Sequence, residues 1–257
     1  VWMVLFTVVP LGIVAWFAFT DAQGSFTLDN IRAIGDYAGT FLDSIAQGGL
    51  ATILCLVLAY PLAFSIARSS ERVQQTMVLI VMLPMWMNFL LRTLAWMTLL
   101  EDKGLINQFL GLLGLGPVHM INTDGAVVLG MVYNFLPFMV LPLYNVLSKI
   151  DKDVISAARD LGATELYTFR KIIFPLSIPG VVSGIIMVFV PALTTFVISD
   201  LLGGSKILLI GNVIEQKFKQ GSNWNVGSGL SLVLMLFIIA SMALIAKYDK
   251  NGEGNTF

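Results

Sequence analysis

Ionisable side chains are scarce in this sequence. Asp, Glu, Lys and Arg make up 12% of its 257 residues, against roughly 25% in an ordinary soluble domain. There is one cysteine, Cys55, inside an apolar run; a single thiol excludes a disulfide within the chain and a cysteine-built metal site. No run of Lys or Arg offers a phosphate track, and the net charge of −1 exerts no pull on nucleic acid. Neither HExxH nor GxSxG occurs, and no His lies in an apolar run, so the usual intramembrane hydrolase chemistry is missing. A Gly-x-x-x-x-Gly-Lys-Ser/Thr phosphate loop is also absent, so this chain does not hydrolyse ATP by the usual route. Nor do the apolar runs hold the acidic relay expected of an ion-coupled transporter.

What is present is apolar surface. Hydrophobic residues reach 57% and mean hydropathy is +0.85, more than one water-driven core can hide. The composition reads as an all-α integral membrane protein forming one domain over 1–257. Six stretches are long enough to cross a hydrocarbon core of roughly 30 Å: residues 1–19, 48–67, 77–100, 126–147, 176–199 and 228–246. In the first, Trp2 and Trp16 suit interfacial anchors better than a cleavable leader.

Six spans place both termini on one side. If that side is the cytoplasm, the inner segments hold Arg68, Arg72, Lys149, Lys152, Arg159, Arg170, Lys171, Lys247 and Lys250. They outnumber the outer Arg32, Lys103, Lys206, Lys217 and Lys219, and the positive-inside rule then predicts cytoplasmic termini. Three outer pieces read as helices: one starting near Phe26 to Ile31 with Thr27 or Asp29 as its cap, a half-buried one at Asn107 to Leu115, and an amphipathic one at Ile210 to Gln220. In the last, Val213, Ile214 and Phe218 share a face. His119, in an outer loop without a Cys, Asp or Glu at ligand spacing, reads as a solvated side chain.

The longest inner loop is Ser148 to Pro175. Val154, Ala157, Ala158 and Leu161 recur at helical spacing, Gly162 breaks the pattern, and a second turn carries Leu166 and Phe169. Its small residues would let the tip enter a groove on a soluble partner. A solvated linker is the alternative, and periodicity does not choose between them.

The spacing of Ala157-Ala158, Gly162, Ile172 and Pro175 resembles the EAA loop of bacterial ABC-importer permeases, with Ser156 where that pattern has Glu. Met82 to Trp96, Val132 to Asn145, Ala157 to Ala163 and Ser199 to Phe218 are similar to spermidine/putrescine permeases of the PotB type. The resemblance implies a six-helix type I importer permease, of the MetI-like fold, in the bacterial cytoplasmic membrane. It implies that Ser156 to Tyr167 forms a coupling helix, with Ser156, Ala157, Ala158, Asp160, Gly162, Ala163 and Glu165 docking on an ATP-binding subunit. The implied partners are a second permease (a PotC-like paralogue), two ATP-binding subunits that use ATP and Mg, an external solute-binding protein and a polyamine cargo. This chain itself is expected to bind no cofactor and no metal.

A polyamine needs carboxylates for its ammonium groups and aromatic faces for its methylene spacers. Asp200, Glu101, Asp102, Trp96 and Tyr133 are the candidates on the outward half; ordinary helix-end charges and interfacial aromatics are the alternative. Arg92 lies well inside a span, where a charge usually turns inward, with Asn88 one turn away as a local partner. A cation there would repel a polyamine. Arg92 is therefore expected to brace the interior or the interface with a second permease, or to snorkel outward.

Overall fold

The computed structural model describes residue 2, residues 4–219 and residues 223–253; the predicted ends at Val1 and Gln220 fall outside them. Among the described residues every regular element is a helix, apart from an isolated β-bridge between Thr20 and Phe26. In chain order these are α1 (Val9–Ala18, entered through a π turn at Val4–Val8), α2 (Asp29–Arg32), α3 (Ala38–Arg68), α4 (Glu71–Met82), α5 (Phe89–Leu100), α6 (Leu105–Leu112), α7 (Asp124–Leu147), α8 (Lys152–Asp160), α9 (Glu165–Thr168), α10 (Phe174–Thr194), α11 (Val197–Gly203), α12 (Ile210–Lys219) and α13 (Trp224–Glu253).

Each predicted span falls on helix, with changed limits. Four helical stretches are long and apolar enough to cross a membrane: Asp29–Arg68, Asp124–Leu147, Glu165–Thr194 and Trp224–Ile245. The pair Glu71–Trp86 and Phe89–Leu112 adds a fifth if counted as one span, and the first apolar run gives the shorter helix Leu5–Ala18. The second span begins well before Gly48, at Asp29, and so takes in the helix expected near Phe26 to Ile31; that helix's cap is Leu28 and not Thr27 or Asp29, while Thr27 Oγ1 accepts the N–H of Asp29 at 3.2 Å.

The third span is not the single helix expected from 77 to 100. It bends by 89° at Met87–Asn88. Pro84 has no N–H to donate, and Leu83–Trp86 tightens into a 3₁₀ turn before Met87 turns extended. Asn88 Oδ1 then accepts from the N–H of Leu90 at 2.9 Å and of Leu91 at 3.2 Å, which starts α5 afresh. Pro61, Pro137, Pro142, Pro179 and Pro191, by contrast, lie inside assigned helices. The fifth span also stops early, at Thr194, and residues up to Gly203 form the separate α11.

The chain forms two compact units. The first gathers residues 1–47, 97–127 and 193–241, and the second residues 48–96, 128–192 and 242–257. In the first, the buried Asn30 donates to Thr20 O at 2.8 Å, Asn225 donates to the same oxygen at 2.6 Å, and Phe41 meets Phe237 edge to face. In the second, Gly180 and Gly184 of α10 sit against α7. A Cβ at 180 would lie 3.0 Å from Pro142 O, and one at 184 would strike Met139. Two glycines four apart allow this close approach where lipid supplies no hydrophobic drive. Met131, Met139, Leu143 and Val188 of these two helices are fully buried.

Candidate functional site

In the second unit, the Ser148–Pro175 loop forms two short helices broken at Gly162, as the residue spacing predicts, where the resemblance implied one helix over Ser156 to Tyr167. Asp151 caps α8 by accepting the N–H of Asp153 at 2.9 Å, and Thr164 caps α9 by accepting from Tyr167 at 3.3 Å. Between them Gly162 adopts φ +81° in open space, a left-handed turn that favours glycine. Arg159 and Glu165 bridge the turn with an ion pair at 3.1 Å. The predicted face divides: Ile155 and Ala158 are the buried residues of α8, whereas Val154, Ala157 and Leu161 stay exposed. Leu161 is 89% exposed and Leu166 66%, and Ser156, Asp160 and Glu165 are also on the surface while Ala163 is half-buried. The loop therefore carries an uncovered apolar tip on a capped, pinned frame.

The same unit brings Arg92, Trp96 and Tyr133 together. The Trp96 and Tyr133 rings meet edge to face at 5.2 Å, and the Arg92 guanidinium lies 5.8 Å from the Tyr133 centroid. Arg92 is buried, and its Nη1 donates to Pro84 O at 2.7 Å, across the bend. Asn88 does not serve as its side-chain partner, since the Asn88 carboxamide is used in capping α5.

In the first unit, the candidate carboxylates have partners that spacing did not reveal. His119 is not simply solvated: its Nδ1 lies 2.9 Å from Asp102 Oδ1, with both side chains exposed. The exposed Glu101 offers its carbonyl to the buried Asn107, which also exchanges both main-chain hydrogen bonds with Val118. Asp200 lies on α11 and not at the end of the fifth span; its Oδ1 accepts from Asn212 Nδ2 at 2.5 Å.

Asn212 was missed by sequence reading. It is completely buried, its Oδ1 accepts from Ser199 Oγ at 2.6 Å and Leu209 N at 3.0 Å, and its Nδ2 also donates to Phe196 O. This carboxamide thus ties α11 to the start of α12, which Ser44 Oγ secures by accepting the N–H of Ile210 at 2.8 Å. Polar residues within the predicted amphipathic face were the available signal. On α12, Glu215 pairs with Lys219 one turn on. The hydrogen-bonded Glu215 carboxylate, helped by its charge and by that of Asp200, holds the Lys219 ammonium above the usual lysine pKa. Among the described residues no group of three or more His, Cys, Asp or Glu could hold a metal ion.

Long apolar helices and close glycine packing define a helical membrane protein. Residues 57–250 match the sequence model of the family described as "binding-protein-dependent transport system inner membrane component", and the chain belongs to that family. It is 40% identical over 254 residues to the spermidine/putrescine transport system permease protein PotB of Escherichia coli, covering 95% of this chain and 92% of that one. The PotB of Haemophilus influenzae is 37% identical over 251 residues, with coverage of 93% and 88%. The inner membrane ABC transporter permease protein YdcU of Escherichia coli is 31% identical over 86% of this chain and 75% of its own. Among solved structures, a chain of a bacterial ABC transporter that imports the acidic polysaccharide alginate superposes with a TM-score of 0.74 at 16% identity, covering 100% of this chain and 92% of that one. The fold is that of ABC-importer permeases, and the chain is a transport component, not an enzyme.

Proposed function

We propose that this chain is a permease subunit of an ATP-driven importer of polyamines of the spermidine and putrescine class. The observation that carries this reading is the near full-length identity of 40% to PotB permeases. In this reading an external binding protein delivers the cargo, a second, PotC-like permease completes the path, and two ATP-binding subunits beneath supply the energy with ATP and Mg. The apolar tip at Leu161 and Leu166 supports docking to such a subunit, because an uncovered apolar patch usually marks an interface. Gly162 and the Arg159–Glu165 pair hold that tip in shape, so that closure of the ATP-binding subunits moves the helices and exposes the path outward. The basic inner segments support cytoplasmic termini. Asp200, Glu101 and Asp102 are assigned to the outward cargo path on charge. Arg92, Trp96 and Tyr133 form an internal brace, since the guanidinium already occupies the aromatic face that a cargo ammonium would need.

Uptake into vesicles carrying the assembled importer, with spermidine, putrescine and a neutral sugar compared, tests the cargo. Saturable uptake of the polyamines and none of the sugar is expected. Sugar uptake without polyamine uptake would overturn the reading.

A further inference from the structure

A groove of about 510 Å³ runs between α12 and α13 within the first unit. Its walls are almost wholly apolar, with Phe196, Ile214, Phe218, Leu234, Met235 and Ile238 among them. Glu215 also lines it, with a side chain only 16% exposed. A carboxylate in such surroundings is costly unless a cation neutralises it. Lys219 supplies that cation from outside: its side chain is 76% exposed and its Nζ meets Glu215 Oε1. The exposed Asp200 on α11 acts on the same ammonium.

This is an unusual way to place an i,i+4 pair. On a solvated helix both partners lie in water; here the acid is drawn into an apolar groove and the base stays in solvent. A lysine side chain is a primary ammonium on a four-carbon chain, the same chemistry as the end of an alkyl polyamine. Resting on the cargo class proposed above, we propose that Glu215 is an ammonium-accepting subsite of the cargo path, held by Lys219 until a cargo ammonium displaces it, with the cargo's methylene spacer lying along Ile214, Phe218 and Leu234. Exchange of one ammonium for another is nearly balanced. Affinity at the site stays modest, as a path that must also release its cargo requires. The carboxylate opposes the other natural occupants of an apolar groove: an acyl chain has no use for it, and a phosphate headgroup is repelled by Glu215 and Asp200.

The test is spermidine uptake by the complete importer in membrane vesicles, with assembly checked by recovery of the variants together with the ATP-binding subunits. Glu215→Gln is expected to raise the uptake KM by roughly tenfold or more, and Glu215→Asp to restore much of the loss. Lys219→Gln, at an exposed position, is expected to lower KM by up to about tenfold, as the tethered competitor is removed. The double variant should behave as Glu215→Gln alone. An unchanged KM in Glu215→Gln, with normal polyamine uptake by the unaltered importer, overturns the site and leaves the cargo reading standing. A raised KM in Lys219→Gln makes the pair a helix staple and also overturns it. If Glu215→Gln does not assemble, the Lys219→Gln result decides between these outcomes. Absence of any polyamine uptake by the unaltered importer removes the cargo reading and this site together.

Discussion

A few residues hold positions for which their neighbours leave little choice. Gly162 has φ +81° with open space around it. An Asp there tolerates the left-handed region at about 1 kcal/mol, so Gly162→Asp should leave the loop folded while adding charge to its tip. ATP hydrolysis by the assembled importer should then proceed with much less transport per ATP; normal transport per ATP would remove the loop from coupling. Asn212 is the opposite case, fully buried with every polar atom engaged. Asn212→Leu keeps the branched outline but orphans the Leu209 N–H, which should cost about 1–3 kcal/mol and lower the melting temperature in detergent by several degrees. Neither Asn212 nor the His119–Asp102 contact could be read from sequence. The former's partners lie mostly in the first turn of α11, 12 to 16 residues earlier, and the latter's two members are 17 residues apart, so no local period carries either.

Helices were more legible than their interruptions. Apolar runs of spanning length announce themselves because lipid demands them, and Asp124–Leu147 begins and ends close to where composition placed it. The break at Met87–Asn88 was hidden because apolar residues continue through it, and Pro84 resembles five other prolines that lie inside helices. What distinguishes the site is the combination of the proline with an Asn able to cap a new helix and an Arg able to reach back over the gap. Similarly, small residues in α8 mark an adaptable surface, but the pattern left open which of them turn inward; the structure buries Ile155 and Ala158. Arg92→Met should expose this division of labour. Losing the charged donor to Pro84 O should cost about 1.5–3 kcal/mol, seen as a lower melting temperature, while the KM for cargo stays unchanged. A weakened KM with normal melting would place Arg92 in the cargo path instead.

At the scale of the whole chain, the decisive question is which side each loop faces. Cys55 is buried and within 3.7 Å of Val132 O, so an introduced thiol can be read over a quiet background, with Cys55→Ala as control. Ser148→Cys, exposed at the end of α7, should react with an impermeant maleimide only from the cytoplasm. Gly116→Cys, where a side chain meets nothing within 4 Å, should react only from outside. Reversed labelling would overturn the orientation and the docking surface together. The uncovered tip of the Ser148–Pro175 loop also bears on how such a chain survives before assembly. Leucines 89% and 66% exposed to water at Leu161 and Leu166 are a signal that chaperones and proteases recognise in unfinished proteins. Synthesised without a partner to cover this tip, the chain should be short-lived in the cell, and Leu161→Ser should lengthen that lifetime while weakening assembly. The surface suited to holding the partner would then also be the mark by which an unpartnered copy is removed.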